Sequence, residues 1–363
     1  MDIQRPTYLI DPDKIRANIR KMADKADRNR LIFRPHFKTH QSRVIGGWFR
    51  EEGVDRITVS SLTMASYFAA DGWTDITVAF PVNLHEIDTI NRLASTITLG
   101  LLTEDAGVAE NLARQLQSPA DLYIKIDCGY HRTGLEPSEI EEIRRIAAIA
   151  THSPMLRLRG LLTHAGHTYE AKDPAEVIRI GRSSLAVMDA LRRNLHEYPD
   201  LIVSYGDTPS CSLLETFPGA DEIRPGNFVL YDLMQENLGS CTFPEVAGIV
   251  VCPVVAVHPG RNQAVLYGGA IHFSKDRLIH KGRYVYGRMV EWAEDRWLET
   301  GEDAWIVSLS QEHGILEAPA SRIQSLKPGS LVGIQPVHSC LTANLLRQFI
   351  TLDGQRVDHM EGI

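Results

Sequence analysis

The chain has 363 residues, with 38 Lys+Arg against 46 Asp+Glu for a formal charge of −8, and 44% of its side chains are hydrophobic. That composition belongs to a globular protein with a large core, and the length suits two domains, one of them big enough for an α/β barrel. The negative balance, with no Lys/Arg block interleaved with aromatics, excludes nucleic acid and anionic membrane as main partners. The opening MDIQRPTYLIDPDK lacks the apolar core of a signal peptide. The longest apolar run, Val246 to Val257, contains Pro253 and falls short of the ~20 residues that span a bilayer. Five cysteines (128, 211, 241, 252, 340) form no CxxC pair and suit a reducing, cytoplasmic setting.

Short β-branched runs alternate with longer amphipathic stretches. In chain order the pattern predicts strands at Leu31–Lys38, Arg56–Ser61, Asp75–Phe80, Thr96–Leu101, Asp121–Asp127, Leu156–Ala165, Leu201–Gly206 and Glu222–Phe228. Between the sixth and seventh, Val177, Ile180, Ser184, Leu185, Met188 and Leu191 mark one helix face behind Asp173–Pro174. A further helix is predicted at 138–150, capped by Ser138 with Glu141 three residues on. Eight strand–helix units in ~220 residues predict an α/β protein built on a (β/α)8 TIM-type barrel over residues 11–235. After Asp232 the pattern turns to strands, at Val246–Val257, Ala264–Phe273, Ala304–Gln311 and Ser330–Val337. One helical stretch is predicted among them, near Arg283–Glu299. This predicts a second, mostly β domain of residues 1–10 and 236–363, the N-terminal RPTYLI supplying one strand.

Active sites of such barrels lie at the C-terminal strand ends. There the sequence places RPHFKTH, KIDCGYHRTG, THAGHTY and YGDTPSCS. Lys38, following an apolar strand at the barrel mouth, is expected to be desolvated and its amine available as a Schiff-base group; an ordinary strand-end lysine reaching solvent has the same spacing. Gly206, Asp207, Thr208 and Ser210 open a helix and suit a phosphate if the Asp207 carboxylate points away; an ordinary capped turn reads the same. Lysine and phosphate site together point to pyridoxal 5′-phosphate. His338-Ser339-Cys340 closes a strand-like run, where i and i+2 share a face, so imidazole and thiolate can hold one ion. A soft N/S pair favours Zn²⁺ over Mg²⁺, although a core cysteine beside a surface histidine gives the same tripeptide. Gln311-Glu312-His313-Gly314 either lines the same cleft or is a hydrogen-bonded turn. His164 and His167 are candidates for metal, acid/base or cofactor-ring roles. Arg132 and Arg224 are candidates for the pyridine nitrogen or a substrate carboxylate, with surface ion pairs as the ordinary alternative.

RPHFKTH, KIDCGYHRTG, HAGHTY, GDTPS, RPGNFVLYD, QEHG and PVHSCLTANL stand in the order found in fold-type III pyridoxal-phosphate enzymes, alanine racemase-like barrels. The chain resembles their D-serine dehydratase and D-threonine aldolase group over nearly its whole length. The resemblance implies a homodimer with Lys38 as the Schiff-base lysine and Gly206 to Ser210 holding the phosphate; Arg132, His164 and Tyr169 are the further candidates for cofactor binding. It places a divalent metal, Zn²⁺ foremost, on His338 and Cys340; His167 is a catalytic candidate as an acid/base group, notably as base for a β-hydroxyl proton. Dehydratases of the group show His-x-Cys where aldolases tend to His-x-Asp, so Cys340 points to β-elimination from a D-3-hydroxy amino acid. Retro-aldol cleavage to glycine and an aldehyde is the alternative. A racemase fits less well, because α-proton exchange gives the metal no leaving group to act on; a non-catalytic cofactor carrier or regulator is expected to be a shorter, single-barrel chain without the second domain and its HxC.

Overall fold

The computed structural model describes residues 2–293 and 295–361, and the chain divides into two compact units. One consists of Arg20–Lys38 and Gly46–Gly226; the other takes the chain up to Ile19, Thr39–Ile45 and the described residues from Asn227 on.

In the first unit every strand pairing is parallel. The strands Ile32–Phe33, Ile57–Val59, Asp75–Pro81, Thr98–Thr103, Ala120–Ile126, Leu156–Thr163, Ile202–Tyr205 and Glu222–Ile223 follow one another around the sheet, and the last pairs back onto the first. A bridge from His36 to Thr58 joins the first to the second and closes the ring. This is the TIM-type barrel that the alternation predicts. Its strands read as apolar runs because sheet and helices cover both faces: Leu99, Leu122, Ile124 and Ile126 are all fully buried. The helix Pro174–Asn194 begins where the sequence predicts, with the Asp173 carboxylate accepting the Glu176 N–H at 2.8 Å and the marked face buried. The helix Ile140–His152 differs in its cap: Glu139 occupies that position, and the Ser138 hydroxyl reaches back to Glu136 instead.

The second unit is an antiparallel sheet in which six strands close on themselves: Gly248–His258, Gln263–Tyr267, His313–Glu317, Trp305–Leu309, Gly287–Ala293 and Leu331–Pro336. Thr7–Ile10 adds to Gly248–His258 and carries Phe349–Thr351 beside it. Ile3, Leu9, Phe243, Ile249, Val251, Val290 and Trp297 form one core cluster here. The stretch Arg283–Glu299, predicted as helix, is instead the strands Arg283–Val285, Gly287–Ala293 and Arg296–Glu299, with residue 294 outside the described residues. Tertiary pairing decides it. Met289 and Val290 lie against Ile334 and Gly333, Trp292 faces Trp297 across a hairpin, and Gly287 packs so close that a Cβ there would meet the Ile334 Cγ2 at 2.6 Å. Among the described residues, no helix is long and apolar enough to cross a membrane.

A buried histidine gives this unit a pH dependence. His40 is fully buried, and its Nδ1 accepts the Ser42 N–H at 3.1 Å. Burial first, then His359, against the opposing Asp358 carboxylate, pushes its imidazole down to about 3. An unfolded chain protonates this histidine near its ordinary ~6.5 while the folded one resists, so the unfolded state binds the extra proton in between and stability falls as pH falls. His40→Asn, which keeps an acceptor for Ser42, is expected to flatten the loss of stability between about pH 6.5 and pH 4 in urea unfolding. An acid limb as steep as the wild type's contradicts this.

Candidate functional site

The C-terminal ends of the barrel strands carry a concentration of cations and imidazoles. Lys38 lies in the turn after Ile32–Phe33 and is exposed. The desolvated lysine that the sequence reading expects at position 38 is found instead at Lys125, on strand Ala120–Ile126. Lys125 is buried, donates to the Ile126 carbonyl at 3.0 Å, and is pushed down to about 8, by burial first and then by the Arg224 charge. Position along the strand explains the difference: Lys125 still lies within the barrel wall, whereas Lys38 is already in the turn.

Two histidines flank Lys38, and their hydrogen bonds fix their tautomers. His36 accepts the Lys38 N–H on Nδ1 at 3.3 Å, which leaves its proton on Nε2. His164 donates from Nδ1 to the Gly206 carbonyl at 2.7 Å, which leaves Nε2 a lone pair. Burial, followed by the Lys38 charge, holds both imidazoles well below their ordinary value. They are therefore neutral at pH 7, one a donor and one an acceptor.

Arg132 is exposed, and its guanidinium stands 5.0 Å over the Tyr130 ring. Tyr130 meets His164 edge-on at 5.8 Å and stacks on His167 at 6.4 Å. The Asp127 carboxylate shapes this loop by accepting the Gly129 and Tyr130 N–H groups. Gly166 leaves room for the ring: a Cβ there would lie 2.3 Å from the Tyr130 Cε1. Sequence reasoning quoted Tyr130 inside its motif without singling it out; the small residue in HAGH was the available signal. His167 is half-buried, with its Nδ1 buried and unpartnered among the described residues, and Tyr169 is half-buried in the short helix Gly166–Glu170.

The Gly206–Ser210 turn is built as a rigid unit. The fully buried Asp207 carboxylate caps the helix Thr208–Leu213, accepting the Ser210 N–H at 2.7 Å and the Ser210 hydroxyl at 2.5 Å, with Tyr205 and Thr168 hydroxyls at 3.0 Å. It thus points into the protein, the condition that an anion at this turn requires. The Ser210 amide and hydroxyl are themselves engaged by Asp207. Gly206 is needed because a Cβ would press on Arg224 at 3.0 Å. At the other end of the helix, buried Lys25 donates to the carbonyls of Cys211, Ser212 and Leu214. Arg224 donates to the Thr163 carbonyl at 2.6 Å and to the Ser204 hydroxyl; burial lowers its pKa to about 10. Ser204 in turn meets Glu222, which accepts from Arg34 at 2.7 Å, and Arg34 reaches Asp75. Burial alone would raise the Glu222 carboxyl, but Arg34 and Arg224 outweigh it and hold it below its usual range. The Lys38 amine, two neutral imidazoles and three further cations, Lys125, Arg132 and Arg224, form a site that can hold an anionic, amine-reactive cofactor.

In the other unit, His338 and Cys340 come together through a helix start. The sequence reading places them on one strand face; in the structure the strand ends at Pro336, His338 takes the cap position and Cys340 lies in the first turn of Ser339–Leu346. The His338 Nδ1 meets the Asp276 carboxylate at 2.6 Å, and the imidazole also hydrogen-bonds Cys340. Burial opposes its charge, but Asp276 and Cys340 push it up to about 11. No group of three or more metal-ligating side chains occurs among the described residues. Gln311 and Glu312 bond to each other in the turn before His313–Glu317, the hydrogen-bonded alternative for that motif.

Residues 10–233 match the alanine racemase N-terminal domain family, and residues 247–352 match a serine dehydratase domain. A D-serine dehydratase of Dictyostelium discoideum is 27% identical, covering 97% of this chain and 94% of its own. A D-threo-3-hydroxyaspartate dehydratase from a Delftia species is 28% identical, over 94% of this chain and 92% of its own. A solved D-threo-3-hydroxyaspartate dehydratase with one cysteine changed to alanine, in its metal-free form, has a TM-score of 0.90 at 27% identity, covering 99% of this chain and 98% of its own.

Glu222 is the counter-charge between two buried guanidinium groups. Glu222→Gln keeps its shape and removes that charge, and is expected to cost ~3–5 kcal/mol in urea unfolding. A loss below about 1 kcal/mol would assign the compensation to Asp75 alone.

Proposed function

The chain belongs to the alanine racemase N-terminal domain family, and from this footing we propose that it is a pyridoxal phosphate- and zinc-dependent lyase. It removes water from a D-3-hydroxy amino acid such as D-serine or D-threonine, giving a 2-oxo acid and ammonia. The observation that carries this reading is the His338–Cys340 pair braced by Asp276. Carboxylate–imidazole support of this kind orients a metal ligand, and an ion with open positions serves a leaving group, which α-proton exchange alone does not have. The dehydratase names of the full-length relatives, and the metal-free form named for one of them, support it further.

The residues fit both groups. The cations that act on His36 and His164 suit a phosphate and a phenolate, and Lys38 supplies the amine. The Gly206–Ser210 turn, with Arg132 and Tyr169, is assigned to cofactor binding. His338 and Cys340 share a proton that a divalent ion would replace, and a soft N/S pair selects zinc. When bound, pyridoxal phosphate supplies an electron sink for charge at Cα, and zinc supplies a Lewis acid for the β-hydroxyl. Lys38 Nζ takes the Cα proton. His164 Nε2 offers an acceptor, and His36 Nε2–H a donor, that hold polar groups beside that amine. Asp276 keeps the His338 ring from turning. The Cβ–O bond breaks and the β-oxygen departs with its hydrogen as hydroxide, which with the proton taken from Cα makes one water; hydrolysis of the resulting enamine then consumes one water and releases ammonia. His167 is the group we assign to proton traffic at the leaving oxygen.

The same reading gives residues 11–235 to the cofactor, and residues 1–10 and 236–363 to the metal, in a cytoplasmic enzyme. Exposed Ile271, Leu341 and Leu345, on the mutually packed helices Ala270–Phe273 and Ser339–Leu346, support a homodimer.

Lys38→Ala is expected to abolish the visible absorption of lysine-bound pyridoxal phosphate; survival of the band would move the cofactor lysine elsewhere, with Lys125 next. Chelation of the metal is expected to leave that band intact while elimination falls to background. Full turnover by chelated protein contradicts the Lewis-acid role.

A further inference from the structure

Two polar groups lie against the Cys340 sulfur, and nothing above gives them a task. Thr39 is fully buried, with its Oγ1 3.2 Å from the sulfur. Asn227 is buried too, with its Nδ2 3.5 Å from the same atom. Either partner of the Thr39 contact can donate while the sulfur carries a proton. Once it is a thiolate, the hydroxyl must be the donor.

The amide orientation of Asn227 is dictated by its neighbours. Nδ2 donates to the Asp232 carboxylate at 2.6 Å and contacts the Ser339 hydroxyl at 3.0 Å, while Asp232 also accepts the Ser339 N–H at 2.9 Å and caps the Gln235 N–H at 2.9 Å. Turning the amide over would set its oxygen against that carboxylate. The cost of the observed orientation is visible: Asn227 Oδ1 is buried with no hydrogen-bond partner among the described residues. An NH₂ group held toward Cys340 at this cost is fixed in place, and it reaches the sulfur from a different segment than Thr39.

A thiolate that accepts hydrogen bonds is both oriented and less electron-rich. It donates less charge to an ion, which then remains the stronger Lewis acid. We propose that Thr39 and Asn227 are positioning residues that clamp the Cys340 sulfur from two sides, fixing it for a divalent ion and drawing charge from it. This rests on the assignment of His338 and Cys340 as metal ligands.

The test uses full-length, metal-stripped protein titrated with Co²⁺ in the absence of substrate, reading the thiolate-to-cobalt charge-transfer absorption together with affinity by chelator competition. For Thr39→Val and Asn227→Ala we expect the band to move to longer wavelength, since a thiolate without donors gives up its electron more easily. Affinity is expected to fall about 10–100-fold. Thr39→Ser, which keeps the hydroxyl, is expected to restore both. An unshifted band overturns the proposal, whether or not affinity falls, because loss of affinity alone would make these residues packing elements. If Thr39→Val does not fold, Asn227→Ala and Thr39→Ser decide the matter. Wild-type protein that binds Co²⁺ with no thiolate band would overturn the metal assignment itself, and this proposal with it.

Discussion

The barrel closes through a backbone pairing of only two residues on each strand. Ile32–Phe33 and Glu222–Ile223 supply it, and Arg34, just past the first, forms a buried ion pair at 2.7 Å with Glu222, which begins the last. An uncompensated charge here would be very costly, so the pair holds the first and last strands in register where few backbone bonds can. Its geometry reaches the rim directly. Lys38 is four residues past Arg34, and Arg224 is two past Glu222 and tied to it through Ser204.

The same closure sets the electrostatics of the mouth. Arg224 and Lys125 are held inside the wall, Lys38 and Arg132 stand at the rim, and the imidazoles among them lose their protons. A site of this kind is poised for an anion and keeps its histidines available as neutral donor and acceptor. The second unit runs on the opposite logic. There Asp276 and the Cys340 sulfur hold a proton on His338.

Much of this was legible in the sequence, for identifiable reasons. Parallel strands covered on both faces leave uninterrupted apolar runs, and helices such as Pro174–Asn194 announce themselves by cap and periodicity. Motifs at strand ends located the cluster of polar residues. What stayed hidden depended on partners distant in sequence. The apolar spacing at 283–299 fits a helix as well as strands until Leu331–Pro336 lies beside it. His338 and Cys340 were paired by strand spacing, yet it is the helix beginning at Ser339 that brings them together. Lys125 and Glu222 carry charges inside apolar strands, a signal that was present, but only the closed ring shows that both are buried. Tyr130 became visible through the empty space over Gly166.

The most direct test of the account is product analysis after incubating the protein with pyridoxal phosphate, Zn²⁺ and D-threonine, with L-threonine as control. The account predicts 2-oxobutanoate and ammonia in equal amounts from the D-isomer alone. Glycine with acetaldehyde would contradict it, showing that a cysteine at position 340 supports retro-aldol cleavage rather than elimination.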